Sequence, residues 1–144
     1  MTPAPPEGYA PCDLRIGFVD LIGPLQRRIV DGVEWFGLRI EPRHANRGPM
    51  AHGGLLASFA DIVLGRAAML ASQPRRGCVT VNLSIDYLRS APLGAWLETT
   101  ACVERSGNSM AFLSCRILAD DEVCALAHAT LKYLDLPPKK PAAN

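Results

Sequence analysis

One long helix, apolar almost all the way round, is followed by nothing but strands, and this arrangement narrows the possible folds more than any other feature. Residues 54–72 carry Leu55, Leu56, Phe59, Ile62, Val63, Leu64, Ala67, Ala68 and Leu70 at helical spacing. A helix of this kind has to be covered on most sides. Its small or polar residues, Ser58, Asp61 and Gly65, fall at i, i+3 and i+7 and form one stripe that another surface or a ligand can approach. Ser58, Asp61, Gly65 and Arg66 within this apolar window argue against a membrane span and for a buried core helix.

The strands around it follow from local signals. Residues 25–30 and 33–41 flank Asp31-Gly32, a two-residue hairpin signal. Residues 78–89 alternate with a period of two, Val79, Val81, Leu83, Ile85 and Tyr87 against Thr80, Asn82, Ser84 and Asp86, which predicts a half-buried strand with Thr80 on its polar side. Residues 94–105, 109–118 and 123–134 predict three more strands, turned at Ser106-Gly107-Asn108 and at Asp120-Asp121. Upstream, apolar residues at 14, 18, 21 and 22 predict a helix over 13–22, stopped by Gly23-Pro24. One helix covers a large sheet only if the sheet curls around it. The expected class is therefore α+β, an antiparallel sheet of about six strands wrapped round one helix.

With 144 residues the chain is expected to form one domain, residues 13–135, between a proline-rich tail at 1–12 and a second tail at 136–144. The net charge is +1 and no basic block interleaves with aromatics, which counts against nucleic acid as a partner. The five cysteines show no CxxC pair and read as reduced core thiols of a cytoplasmic protein; the N-terminus has neither a basic nor an apolar leader segment. His44, His52 and His128 make no metal-ligand spacing, so no metal is expected, and a helix-end donor with a carboxylate acting on water needs no cofactor.

The chemistry concentrates just before and within the long helix. Gly53 and Gly54 open it, and the first N–H groups of a helix have no intrahelical partner and sit at its positive dipole end. Such an end receives anions, including the oxyanion of an acyl-transfer transition state. Two turns on, Asp61 is the helix's only carboxylate. An isolated carboxylate among apolar residues is paired with a cation or backbone group, or it does chemistry. Asn46 suits a turn cap, and His52 suits loop shaping more than proton transfer.

The set Asn46-x5-His52-Gly53-Gly54-x6-Asp61 resembles the signature of hotdog-fold acyl-CoA thioesterases, in particular their PaaI-like branch. The strand 79–89, the hairpin Arg105-Ser106-Gly107-Asn108-Ser109 and the segment Ala127-His128-Ala129-Thr130 resemble it too, so the likeness covers residues 18–134. It implies hydrolysis of an acyl-CoA thioester to free acid and CoA, with coenzyme A as part of the substrate. It also implies a homo-oligomer, a dimer at the least and a tetramer by expectation, with active sites at the subunit seam. By this resemblance Asp61 is general base or nucleophile, Gly53 or Gly54 of the other subunit holds the thioester oxygen, Asn46 positions water or thioester, Thr80 assists the carboxylate and His52 holds the loop. Arg89, Arg105, Asn82 and Arg76 are the candidates for holding the CoA moiety. Two other functions use the same features: a non-catalytic acyl-CoA-binding module, and an acyl-thioester dehydratase or hydratase.

Overall fold

The computed structural model of the chain describes residues 3–14 and 17–135; the expected tail at 136–144 lies outside the described residues, as do Arg15 and Ile16 of the expected first helix. In chain order the elements are β1 (Ala10–Pro11), α1 (Phe18–Ile22), β2 (Gln26–Val30), β3 (Val33–Arg39), a 3-10 turn at Pro42–His44, and α2 (Gly53–Ala71). Then come β4 (Cys78–Tyr87), β5 (Trp96–Thr99), β6 (Ala101–Ser106), β7 (Met110–Ala119) and β8 (Glu122–Tyr133). They form one antiparallel sheet in the order β1-β2-β3-β5-β7-β8-β4, with β6 also paired to β7. The helix α2 lies on one face of that sheet, against β4, β6, β7 and β8.

Among the described residues eight strands stand where about six were expected, for two reasons. The single strand expected over 94–105 breaks at Thr100: β5 pairs with β3 and the end of β7, while β6 pairs with β7 alone. At the break, the Thr99 hydroxyl donates to the Arg116 carbonyl at 2.7 Å and the Thr100 hydroxyl to the Glu34 carbonyl at 2.8 Å, so side chains take over where the ladder parts. The extra strand is β1, in the segment expected to be a loose tail. Ala10 and Pro11 pair with Arg27 and Gln26, the Tyr9 hydroxyl donates to Glu98 at 2.8 Å, and the Tyr9 ring meets Trp96 edge-on at 4.9 Å. The prolines concealed this: Pro11 forgoes a ladder donor that an edge strand does not need.

Both short turns use positive φ, at Asp31 and Gly32 (50° and 79°) and at Asp120 and Asp121 (46° and 69°), the twist that joins neighbouring antiparallel strands tightly. The first helix is shorter than expected, Phe18–Ile22, with no buried residue of its own.

The long helix buries Leu55, Leu56, Phe59, Ala60, Val63, Leu64 and Ala68 against the sheet, each large side chain contributing about 1.5–3 kcal/mol. These are seven of its nineteen residues, so it is not covered on most sides within one chain. The open side carries Ser58, Asp61, Ile62, Gly65 and Met69. By length and composition this helix could also cross a membrane, but here its buried residues pack inside the fold. Strand β4 forms an edge of the sheet, with Val79 and Val81 exposed.

Candidate active site

The helix start is built by His52. Its backbone is extended (φ −65°, ψ 138°), and its imidazole Nδ1 accepts the Gly54 N–H at 2.9 Å, an N-cap made by a histidine. A Cβ on residue 54 would lie 2.9 Å from that Nδ1, so glycine is what lets the imidazole fold back onto the helix. The Leu55 N–H goes to the His52 carbonyl at 2.9 Å. Of the expected donors, Gly54 is thus occupied, and Gly53, the first helical residue, presents the N–H that the helix itself does not use. The Tyr87 hydroxyl donates to the Gly53 carbonyl at 2.8 Å, and its ring lies 3.2 Å from where a Gly53 Cβ would stand. The period of two placed Tyr87 on the apolar side of its strand and missed this contact; no local signal in the sequence reports it.

Asn46 caps a turn, its Oδ1 accepting the Gly48 N–H at 2.7 Å, while its backbone N–H reaches the Met50 carbonyl at 2.9 Å. This uses the side-chain oxygen and leaves the amide NH₂ to donate elsewhere. Asn46, Gly53, Tyr87 and Arg89 line one cleft of about 390 Å³ at the helix start.

Asp61 occupies another place. It is half-buried, and its Oδ1 accepts a hydrogen bond from the Thr80 hydroxyl at 2.7 Å. The alternation put Thr80 on the polar face of its strand, away from the apolar stripe, whereas the resemblance set it beside the carboxylate; a bulge reconciles the two. Thr80 pairs with Leu131 but Asn82 pairs with Thr130, leaving Val81 as an extra residue. The bulge reverses the alternation: Cys78 and Thr80 share the helix-facing side with Leu83 and Ile85, and Val79 turns outward. The simple alternative for Asp61, a carboxylate held by an arginine, is not what the described residues show. The nearest helix arginine, Arg66, is turned to Glu34 at 3.2 Å. Cys78 lies beside Asp61, its thiol pushed up by burial first and by the Asp61 charge second, so it stays protonated.

The four expected CoA contacts divide. Arg89 borders the helix-start cleft and pairs with Glu122 at 2.8 Å on the surface. Arg76 is committed elsewhere: its guanidinium donates to the Leu134 carbonyl at 2.8 Å and the Asn108 carbonyl at 2.7 Å, and lies over the Tyr133 ring. Asn82 pairs with Thr130 and Arg105 with Phe112, a row that faces away from α2, so neither shares a face with Asp61. Among the described residues, no three His, Cys, Asp or Glu side chains cluster as a metal site.

Gly53 and Asp61 stand eight residues apart on one straight helix, about 12 Å at 1.5 Å per residue. That separation is too long for both to touch one carbonyl group, and the clefts around them share no residue. Each chain therefore carries two separate features along α2: an N–H donor end beside Asn46, and a carboxylate braced by Thr80.

Comparison with known proteins agrees with this architecture. The chain is 38% identical over 128 residues to PA0474 of Pseudomonas aeruginosa, a protein named only as a candidate esterase, covering 85% of this chain and 92% of that protein. It is 32% identical over 77 residues to human acyl-coenzyme A thioesterase 13, spanning 54% of each chain. The structure of zebrafish thioesterase superfamily member 2 superposes with a TM-score of 0.74 at 25% identity, covering 85% of this chain and 89% of that one. The family model described as the Thioesterase superfamily matches residues 48–125, the stretch that holds the helix start, Asp61 and Thr80. With the hotdog arrangement of sheet and helix and these matches together, the chain belongs to the Thioesterase superfamily.

Proposed function

We propose that the protein hydrolyses acyl-CoA thioesters to a carboxylic acid and CoA at sites completed by two subunits. The observation that carries this reading is the separation of the two half-sites along α2: a donor end at Gly53 and a carboxylate at Asp61, each without its counterpart in its own chain. A two-fold pairing of chains brings the helix start of one to the carboxylate of the other. The relatives named acyl-coenzyme A thioesterases support the chemistry.

In this reading the Gly53 N–H, joined by the Asn46 amide, donates to the thioester oxygen and stabilises the negative charge that develops there. Thr80 fixes one oxygen of Asp61, leaving the other to take a proton from water. The hydroxide forms the new C–O bond, the C–S bond breaks, and CoA leaves as a thiolate that takes up the proton. His52 shapes the donor end by capping the helix, and Arg89 is placed to meet a phosphate of CoA. Neither step calls on a resident cofactor, and the reading includes a cytoplasmic setting with its pool of CoA esters.

The test is thiol release from a panel of acetyl-, medium-chain and aryl-CoA esters by wild type and by Asp61→Asn. Turnover lost in the variant supports the reading. Saturable binding without product would identify a binding module instead, and hydration of an enoyl-CoA would identify a hydratase.

A further inference from the structure

The Asp61 half-site opens into a second space whose walls bear on substrate choice. The cleft holds about 260 Å³ and is walled by Leu14 and, on α1, Val19, by Ile62, Gly65 and Met69 of α2, and by Leu131 of β8. Asp61 and Thr80 sit at its polar end. Among the described residues, the one cation on its border is Arg66, which is bound to Glu34 through Nε at 3.4 Å and NH2 at 3.2 Å, so it is not free to receive a charged substrate tail.

Gly65 is the informative residue. It lies in the middle of a helix, where glycine is a poor choice. Neither backbone conformation nor packing requires it: its φ is not positive, and the nearest atom to a built Cβ is Leu131 Cδ2 at 3.9 Å. An alanine would fit. What glycine supplies at this position is empty space, one helical turn beyond Asp61 and directly on the cleft.

The geometry points to this cleft as the acyl pocket, with Gly65 as the residue that sets its depth and an uncharged, apolar acyl group of medium length or with one aromatic ring as its occupant. The size agrees, because a benzene ring fills an apolar cavity of about 150 Å³; the space here takes a ring with a short arm, or a medium alkyl chain. An acetyl group would leave most of it empty, and a dicarboxylic acyl group would bring a second anion into an apolar cleft beside Asp61. This inference rests on thioester hydrolysis at Asp61 and adds the substrate class and the residue that selects it.

The experiment measures kcat/KM for acetyl-, butanoyl-, hexanoyl-, octanoyl- and phenylacetyl-CoA on wild type, Gly65→Ala, Gly65→Leu and Val19→Phe. Wild type should prefer the medium-chain and phenylacetyl esters. Gly65→Leu should lower kcat/KM for those esters about 100-fold more than for acetyl-CoA, since each methylene that no longer fits is worth about 10-fold or more. Gly65→Ala should shift the preference the same way more weakly and raise the Tm by a few degrees, a combination that a purely structural glycine would not show. Val19→Phe narrows the cleft from the opposite wall without altering α2, and should shorten the preferred chain even if Gly65→Leu folds poorly. Equal losses on all esters, or an unchanged preference in both Gly65→Ala and Val19→Phe, would overturn the assignment while leaving thioester hydrolysis intact. Absence of turnover on every ester in wild type would instead remove the reading beneath it, and the pocket assignment with it.

Discussion

The proposed division of the site between two chains can be tested by complementation. One lesion is Asp61→Asn, which removes the proposed base. The other is Gly53→Pro, which deletes the proposed oxyanion donor by replacing the N–H with a ring carbon. Proline suits this position. Gly53 is the first helical residue, where proline is favoured, and His52 before it already has the extended backbone (ψ 138°) that a residue preceding proline adopts. The atoms nearest the added Cβ are those at the tip of Tyr87, 3.2 Å away on a side chain that is 52% exposed and able to swing aside. Each variant alone should fold, dimerise and lose activity, Gly53→Pro by about 10²- to 10³-fold, the usual effect of one lost oxyanion donor. Co-expression with two different tags and tandem purification gives pure heterodimers. In these, one site receives Gly53 from the Asp61→Asn chain and Asp61 from the Gly53→Pro chain, and the other site carries both lesions. The expected specific activity is about half of wild type, one intact site of two. If Gly53 and Asp61 of one chain served the same thioester, no heterodimer would hold an intact site, and its activity would stay at the level of the separate variants. That result would refute the argument from the roughly 12 Å separation along α2.

Four further outcomes follow from single contacts. Thr80→Val removes the 2.7 Å hydrogen bond to Asp61; such a bond to a charged group is worth about 1.5–3 kcal/mol, so kcat should fall about 10- to 100-fold with KM little changed. Arg76→Met should lower the Tm, through two lost hydrogen bonds of about 0.5–1.5 kcal/mol each, and leave KM for acyl-CoA unchanged, because that guanidinium braces the Leu134 and Asn108 carbonyls; a raised KM without loss of Tm would show phosphate binding instead. Gly37→Ala drives a methyl group into the buried Trp96 ring and should cost about 1–3 kcal/mol or more in chemical denaturation, with the active site otherwise intact. His44 is held below its ordinary value by burial and then by Arg43, so below about pH 6.5 the unfolded chain binds a proton that the folded chain resists, and stability falls with falling pH. His44→Asn should flatten the decline of Tm between about pH 7 and 5; an unchanged slope would mean that other groups set it.

The sequence by itself determined the long helix, its glycine-led start, the two tight turns and the strand pairs, because each is written in residues close together in the chain: a 3.6-residue apolar period, Asp-Gly between alternating runs, and unpaired N–H groups wherever a helix begins. It also singled out Asp61, since a lone carboxylate in an apolar helix needs no tertiary information to be conspicuous. The tertiary structure decided everything that depends on one element meeting another. A bulge at Val81 turns Thr80 toward Asp61, and no local pattern in an alternating strand reports an unpaired residue that only its partner strand reveals. Tyr9 joins the core from a proline-rich segment because Glu98 and Trp96, nearly ninety residues away, wait for it. Arg76, read as a free cation, is consumed by two backbone carbonyls of distant turns. Gly53 and Gly54, equivalent in the sequence, become different when His52 folds back and takes the Gly54 N–H, leaving Gly53 as the free donor of the helix on which the chain is built.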